Sequence, residues 1–216
     1  MLDLRGHGRS LPEDLGQTTM QDYVADVSSV ADQLAKQGNN PVIGGWSMGG
    51  LIAMMYAATS PQTPALLLFS PSPPLEVAGR GDAAQVRATP SGQFGPELYG
   101  LYINDTAASA VALHDLTETE AREVLRQSEG ALESGMARRQ RRRGISIPQG
   151  AVRCPSLVVY GEADRQFGPE LNRRLAVYLG GDVLPVAEAG HWGIVYGERF
   201  VRKAAPSLDA WLRRVL

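Results

Sequence analysis

Residues 45–49 (GWSMG) constrain the fold of this chain more than any other segment, because their two flanks define the local geometry. The short apolar run before them predicts a buried strand, and the small and apolar residues 50–58 after them predict a helix. A strand and a helix joined by G-x-S-x-G are typical of a sharp turn that presents the hydroxyl of the serine. Ser47 is therefore a candidate nucleophile, and the competing interpretation is an ordinary serine in a glycine-rich turn.

The composition narrows the class of protein. The chain has 216 residues, of which 44% are hydrophobic, and this is enough to bury the core of one α/β domain. The formal net charge of −2 gives no electrostatic reason to expect a nucleic acid partner. No apolar stretch approaches the roughly 20 residues of a membrane span, so we expect no membrane partner.

Cysteine usage and the start of the sequence bear on compartment and metal content. Cys154 is the one cysteine of the chain, so an internal disulfide is excluded. No spacing of cysteine and histidine matches a zinc site, and no signal peptide opens the sequence. We therefore expect a cytoplasmic protein that uses neither a metal nor a cofactor.

Apolar runs alternate with amphipathic segments along much of the chain. The predicted strands are residues 1–4, 41–45, 65–69, 155–160 and 182–187. The predicted helices are residues 19–36, 49–59, 168–179 and 198–215. This alternation predicts an α/β fold with a mostly parallel sheet and helices on both of its faces.

The alternation stops between residues 71 and 149, which we interpret as an insertion. Glycine and proline punctuate its first third, and Thr117 with Glu120 forms a capping-box pattern that predicts a helix as far as about Ser134. The basic run at residues 138–143 predicts a charged helix end that faces solvent.

The predicted domain organisation is a core, residues 1–70 and 150–216, with a helical cap or lid, residues 71–149, over the ends of the strands. Such a cap would exclude water and shape a pocket above Ser47. Five apolar residues of the insertion either line that pocket or pack between cap helices, and they are Leu98, Tyr99, Leu101, Tyr102 and Leu113.

Two further strand ends carry the residue types that a serine nucleophile needs. Asp164 lies in the loop after one predicted core strand, and His191 lies in the loop after the next. His7 and His114 fall in the first turn and in the insertion, so His191 is the histidine of a late loop at a strand end. An imidazole can take the proton of Ser47, and a carboxylate can orient that imidazole, which predicts a Ser-His-Asp arrangement.

The assignment of the acid has alternatives. Asp164 could instead cap its own loop, since Glu162 offers a second carboxylate two residues away. Glu76 and Asp82, which follow the preceding predicted strand, are the fallback acids.

Four segments in order resemble the landmarks of the α/β-hydrolase superfamily, closest to its esterase, enol-lactonase and C–C hydrolase branches. They are residues 3–10 (DLRGHGRS), 45–50 (GWSMGG), 158–164 (VVYGEAD) and 190–192 (GHW). The resemblance covers the two parts of the predicted core, and the insertion is similar only in being cap-like. Because these branches share all four segments, the resemblance identifies the family more sharply than the substrate.

The resemblance implies a role for each site residue. Ser47 would be the nucleophile, His191 the base, Asp164 the acid, and the backbone N–H of Met48 a donor to the oxyanion. The implied activity is hydrolysis of small-molecule carboxylic esters, thioesters or lactones through an acyl-enzyme. Two other classes stay open: an inactive fragment or pseudoenzyme, and a cofactor-free lyase, isomerase or perhydrolase that uses the same three side chains.

The sequence departs from the family at its start. Members normally carry about fifty residues before the first landmark, with three strands and a loop that gives a second oxyanion donor. We therefore expect an N-terminally truncated family fold, with an unpaired edge on strand 41–45. Either Met1 is internal to a longer protein, or residues 1–4 fill the gap, or a partner segment or second copy covers the edge.

Overall fold

The computed structural model describes residues 2–10 and 14–216, and its centre is a parallel sheet. In chain order the strands are β1 (Ile43–Trp46), β2 (Leu66–Phe69), β3 (Gln93–Phe94), β4 (Glu133–Ser134), β5 (Ser156–Gly161) and β6 (Asp182–Val186). In the described part of the chain the main sheet has the order β1-β2-β5-β6 with every pair parallel, while β3 and β4 form a separate antiparallel pair. The predicted fold class is confirmed.

The helices of the core lie within one or two residues of their predicted bounds. In chain order the helices are α1 (Met20–Lys36), α2 (Met48–Thr59), α3 (Leu75–Ala78), α4 (Ala83–Ala88), α5 (Glu118–Ser128), α6 (Gly135–Arg143), α7 (Pro169–Leu179), α8 (Gly193–Tyr196) and α9 (Glu198–Val215). A 3₁₀ turn at Pro96–Tyr99 lies between α4 and α5. Among the helices described here, none combines the length and apolar character needed to cross a membrane.

The two faces of the sheet bury alternate residues of each strand. On one face Val158 and Tyr160 of β5 pack in a cluster with α1, α2 and α7. On the other face Leu157 and Val159 pack in a second cluster with α8 and α9. Because all four strands run in parallel, their C-terminal ends meet at one edge, where the loops after β1, β5 and β6 carry the predicted site residues.

Strand β1 lies at an edge of the main sheet. Within the described residues it pairs only with β2, and Gly44 in its middle is exposed. The predicted strand at residues 1–4 is wrong where it can be checked: residues 2–4 form no strand, and Met1 lies outside the described residues. A strand needs a neighbour for its backbone N–H and C=O groups. The residue that follows this segment is anchored to the core, since the guanidinium of Arg5 binds the carboxylate of Asp26 in α1 at 2.6 Å.

The insertion is less regular than a bundle of helices. Helix α5 begins at its predicted N-cap, Thr117, with both capping-box hydrogen bonds to Glu120 present. It ends at Ser128 rather than near Ser134, because Gly130 adopts a left-handed φ of 74° and turns the chain. The segment from residue 101 to residue 116 is mostly turns.

The apolar residues of the insertion pack mainly with each other. Leu101 and Leu113 are buried with Val124 of α5, and Tyr99 lies at the edge of this cluster. Two of the five residues named from the sequence, Leu98 and Tyr102, are exposed instead. Of the two interpretations, packing within the insertion therefore accounts for Leu101 and Leu113.

The basic run at residues 138–143 ends helix α6, but its expected exposure to solvent is wrong for most of the run, in which Arg143 alone is exposed. Arg138 is buried, and its guanidinium and that of Arg141 bind the buried carboxylate of Glu133 at 3.3 and 2.9 Å. The Arg138 guanidinium also lies over the ring of Tyr99, 4.9 Å from its centre. A carboxylate and an aromatic face compensate the buried charge, and neither partner could be identified from the run itself.

Candidate active site

The turn that carries Ser47 is held by close contacts of the backbone. Ser47 adopts a φ of 54°, which side-chain-bearing residues rarely take. A Cβ on Gly45 would lie 2.1 Å from the carbonyl oxygen of Gly49, and one on Gly50 would lie 2.5 Å from Pro71. Glycine is therefore required at positions 45 and 50, whereas a Cβ on Gly49 would meet nothing within 4 Å.

Three predicted side chains meet at the edge of the sheet. The Oγ atom of Ser47 lies 3.1 Å from Nε2 of His191, and Nδ1 of His191 lies 2.9 Å from Oδ2 of Asp164. Ser47 follows β1, Asp164 follows β5 and His191 follows β6, so the parallel register brings together residues up to 144 positions apart. The two hydrogen bonds use both ring nitrogens of the histidine.

The surroundings of Asp164 favour its ionised form. Its second oxygen, Oδ1, accepts hydrogen bonds from the backbone N–H groups of Gln166 and Phe167 at 2.7 and 2.9 Å. Burial raises the pKa of Asp164. The hydrogen bond and charge of His191, together with the hydrogen bond from the N–H of Phe167, lower it by more than burial raises it, so the pKa lies below the ordinary value. A buried carboxylate with both oxygens bonded is suited to orienting an imidazole.

Met48 is the first residue of α2, directly after Ser47. The first backbone N–H groups of a helix have no partner within it, and the helix dipole adds partial positive charge there. The N–H of Met48 thus lies at a position suited to an anion that forms on a group attacked by Ser47.

The other candidate acids lie elsewhere. Glu76 accepts hydrogen bonds from the hydroxyl of Ser146 and from the N–H of Ile147, and Asp82 caps helix α4. Glu162 is exposed. None of these three carboxylates is hydrogen-bonded to His191 in the described structure, so the geometry pairs His191 with Asp164 alone.

Two residues near His191 were missed from the sequence. Asp115 of the insertion accepts hydrogen bonds from the N–H groups of Gly190 and Gly193, on either side of the histidine. The indole N–H of Trp46 donates to the carbonyl oxygen of His191 at 2.8 Å. Trp46 stood inside the G-x-S-x-G motif, but its partner is 145 positions away and no local pattern points to it.

Aromatic rings surround the histidine. The ring of Trp46 lies 5.1 Å from that of His191, and the ring of Phe167 lies 5.4 Å from it on an edge-on approach. Trp192 and Tyr196 extend the cluster beyond Trp46. These rings limit the contact of the imidazole with water and leave its Nε2 facing Ser47.

No other described part of the surface brings together a comparable set of reactive side chains. A groove of about 360 Å³ lies between α3 and α7, and Glu76 and Arg174 line it, but it contains none of the three converging side chains. Among residues 2–10 and 14–216, no three His, Cys, Asp or Glu side chains gather as metal ligands would.

Comparison with known sequences agrees with the family resemblance of the four sequence segments. A model of the alpha/beta hydrolase family matches residues 1–203. A pimeloyl-[acyl-carrier protein] methyl ester esterase from Stenotrophomonas maltophilia is 30% identical over an alignment of 202 positions, gaps included, and this alignment covers 88% of this chain and 74% of the relative. One from Chromobacterium violaceum is 30% identical over an alignment of 226 positions, gaps included, which covers 97% of this chain and 83% of the relative.

Comparison with solved structures supports the same architecture. A thermophilic esterase from Thermogutta terrifontis aligns with a TM-score of 0.69 and 22% identity. The alignment covers 99% of this chain and 78% of that esterase. At this level of identity the likeness concerns the fold.

Proposed function

Because the chain belongs to the alpha/beta hydrolase family, we propose that it hydrolyses carboxylic esters with Ser47 as nucleophile. His191 is the general base and Asp164 the acid that orients it. The proposal rests above all on one observation, the pair of hydrogen bonds that run from Ser47 through His191 to Asp164 at 3.1 and 2.9 Å. This arrangement is competent for acyl transfer.

The proposed reaction has two halves. Ser47 Oγ attacks the ester carbonyl carbon while His191 Nε2 takes the hydroxyl proton, and Asp164 stabilises the imidazolium that forms. The imidazolium then gives its proton to the departing alcohol, which leaves the acyl group on Ser47. In the second half, His191 deprotonates a water molecule that attacks the acyl-enzyme, and Ser47 recovers its proton as the carboxylic acid leaves.

The negative charge that develops on the carbonyl oxygen needs donors. In this proposal the backbone N–H of Met48 and the N-terminal end of α2 supply one of them. A donor of this kind typically contributes about 10²–10³ in rate. Since it comes from the backbone, substitution of the Met48 side chain should leave this contribution in place.

The substrate class follows from the chemistry and from the relatives. The two relatives described above are named as methyl ester esterases, so we propose carboxylic esters with a small alcohol as the first class of substrate. Thioesters and lactones react through the same acyl-enzyme and are the next class to compare. A perhydrolase would instead transfer the acyl group to hydrogen peroxide.

The test is turnover of a methyl ester, a p-nitrophenyl ester, a thioester and a lactone by the purified chain, with product analysis with and without hydrogen peroxide. We expect acid and alcohol as products, and a loss of roughly 10⁴–10⁶ in kcat for Ser47→Ala. Ser60→Ala, at the other end of α2, is the matched control and should keep full activity. Turnover that survives Ser47→Ala, or a wild-type chain without turnover, would overturn the proposal.

A further inference from the structure

A carboxylate of the insertion holds the loop that carries His191. Asp115 Oδ2 accepts a hydrogen bond from the backbone N–H of Gly190 at 2.6 Å and another from that of Gly193 at 2.8 Å. These two N–H groups flank the histidine in the sequence. Asp115 is only 7% exposed, so both bonds form away from water, where a charged acceptor is strongest.

The loop is built to admit this carboxylate. A Cβ on Gly193 would lie 1.9 Å from Asp115 Oδ2, and a Cβ on Gly190 would lie 2.8 Å from its Cγ. Neither glycine has a positive φ, so the close approach of side chains, and not a backbone conformation, is what favours glycine at these two positions. Asp115 is the nearest neighbour of both, while a ring atom of His114 near Gly190 and one of Phe200 near Gly193 would each lie 2.9 Å from the added Cβ. The contact between the insertion and the loop is therefore specific.

The same loop is fixed from its other side by the core. Trp46 donates its indole N–H to the carbonyl oxygen of His191 at 2.8 Å. Behind the loop, Trp192 and Tyr196 pack against the apolar cluster of the insertion. Glu120 of α5 accepts the N–H of Glu198 at the start of α9 at 2.7 Å. The backbone around His191 thus has partners in both parts of the molecule.

We propose that Asp115 is a positioning residue for the base: it holds the backbone on both sides of His191 so that Nε2 faces Ser47. The inference rests on the proposed function, because it assigns Asp115 a part in that reaction. It makes the insertion a component of the catalytic geometry. A displacement of about 1 Å at a reacting group can cost about 10² in rate, and the 3.1 Å contact between Ser47 and His191 leaves little room for one.

The experiment compares three substitutions of Asp115 by steady-state kinetics with a p-nitrophenyl ester. Asp115→Ala removes the acceptor, and we expect kcat to fall about 10- to 100-fold with KM within about threefold of wild type. Asp115→Asn keeps an oxygen where Oδ2 lies, so we expect kcat within about threefold of wild type. Asp115→Glu keeps the charge but moves it by one methylene, so we expect an intermediate loss.

Asp105→Ala is the matched control. Asp105 also lies in the insertion and accepts a backbone N–H, that of Ala108 at 2.9 Å, but it is exposed and does not touch the His191 loop. We expect its kcat to equal that of wild type. The kinetics of Asp115→Ala are measured well below its melting temperature. If this variant fails to fold, the comparison of kcat between Asp115→Asn and Asp115→Glu tests the proposal instead.

A second readout does not depend on turnover. The proton on Nδ1 of His191, hydrogen-bonded to Asp164, should give a downfield NMR signal that Asp115→Asn keeps and Asp115→Ala shifts or broadens. Equal kcat values and equal spectra for the Ala, Asn and wild-type proteins would overturn the positioning role. An inactive wild-type chain whose histidine signal still responds to Asp115→Ala would count against the proposed reaction and not against the placement of the loop.

Discussion

The loops that carry Ser47 and His191 hold their side chains by opposite means. Around Ser47 the geometry is set mainly within a few residues: the serine has a φ of 54°, and Gly45 packs directly on the carbonyl oxygen of Gly49. The next strand adds support, since the N–H of Ser47 donates to the carbonyl oxygen of Phe69. Around His191 the geometry is set by side chains from far along the chain. One loop is therefore a local property of the sequence, and the other is a property of the whole fold.

The loop that carries His191 is held by residues that are far from it in the sequence. The partner of the imidazole, Asp164, is 27 positions away, while Asp115 is 75 positions from Gly190 and Trp46 is 145 positions from His191. A contact of this kind forms only when the sheet, the insertion and the last helices have all assembled. Changes to the glycines of the turn around Ser47 should therefore act through local backbone strain on stability, whereas changes to the distant partners of the His191 loop should act on catalysis.

Apart from loss of the nucleophile itself, the largest effect is expected at Asp164, the hydrogen-bond partner of the imidazole. Asp164→Asn should lower kcat about 10³–10⁴-fold, because an amide cannot stabilise the imidazolium as a carboxylate does. Asp182→Asn is the control: Asp182 binds Trp211 and Arg214 of α9, so loss of its carboxylate should affect stability and leave kcat unchanged. Equal losses of kcat in the two variants would remove Asp164 from the proposed role.

The lowered pKa of Asp164 also predicts how stability depends on pH. A group whose pKa is lower in the folded state contributes stability above its unfolded pKa, about 3.9 for aspartate, and loses it as the pH falls through the folded value. The difference in unfolding free energy between wild type and Asp164→Asn should therefore shrink as the pH is lowered below about 4. Denaturant titrations across this range measure it, and a difference that grows on acidification has the wrong sign.

The next largest effect is expected on stability, from substitutions that strain the turn around Ser47. Gly45→Ala should destabilise the fold by about 1–3 kcal/mol or more, because its Cβ meets a backbone oxygen that cannot move aside. Gly49→Ala, four positions along, has open space and should be neutral or slightly stabilising. Urea denaturation of both variants compares them directly. Similar stabilities would show that the turn is not held by the contact described here.

The smallest effect is expected for Trp46→Phe, which keeps the aromatic packing and removes the N–H donated to His191. We expect a loss of about 1 kcal/mol of stability and a three- to tenfold fall in kcat. Trp211→Phe is matched, since Trp211 donates its indole N–H to Asp182 at 2.7 Å, and it should lose stability only. If both variants keep full kcat, the hydrogen bond of Trp46 has no part in placing the base.

These contrasts also explain what the sequence could predict. Ser47, Asp164 and His191 could be found because each follows a recognisable strand, and parallel strands bring their ends together. Asp115 could not be found, since it lies in a turn-rich stretch without periodicity and its partners are backbone groups. The expectation of a solvent-facing run at residues 138–143 failed for a similar reason: its partner, Glu133, lies outside the run and is recognised only once β4 and α6 have formed.

The fold was predictable to the same degree. Strands flanked by other strands were placed within one or two residues, because burial on both faces gives each a continuous apolar run. The segment at residues 1–4 has the apolar character of a strand end but no neighbour in the described structure, so its pattern could not decide its conformation. The open edge of β1, by contrast, was expected from the resemblance, because family members normally carry three further strands before the first landmark.

Catalysis in this proposal requires the turn that carries Ser47 and the distant loop that carries His191 to converge, so that one serine is activated. Labelling with a fluorophosphonate, followed by peptide mass spectrometry, tests it most directly, because this reagent modifies a serine only when a base has activated it. We predict stoichiometric labelling at Ser47 in the wild-type chain, much slower labelling in His191→Ala, and none at Ser60. Absence of label from Ser47, or labelling at the same rate after His191→Ala, would contradict the account.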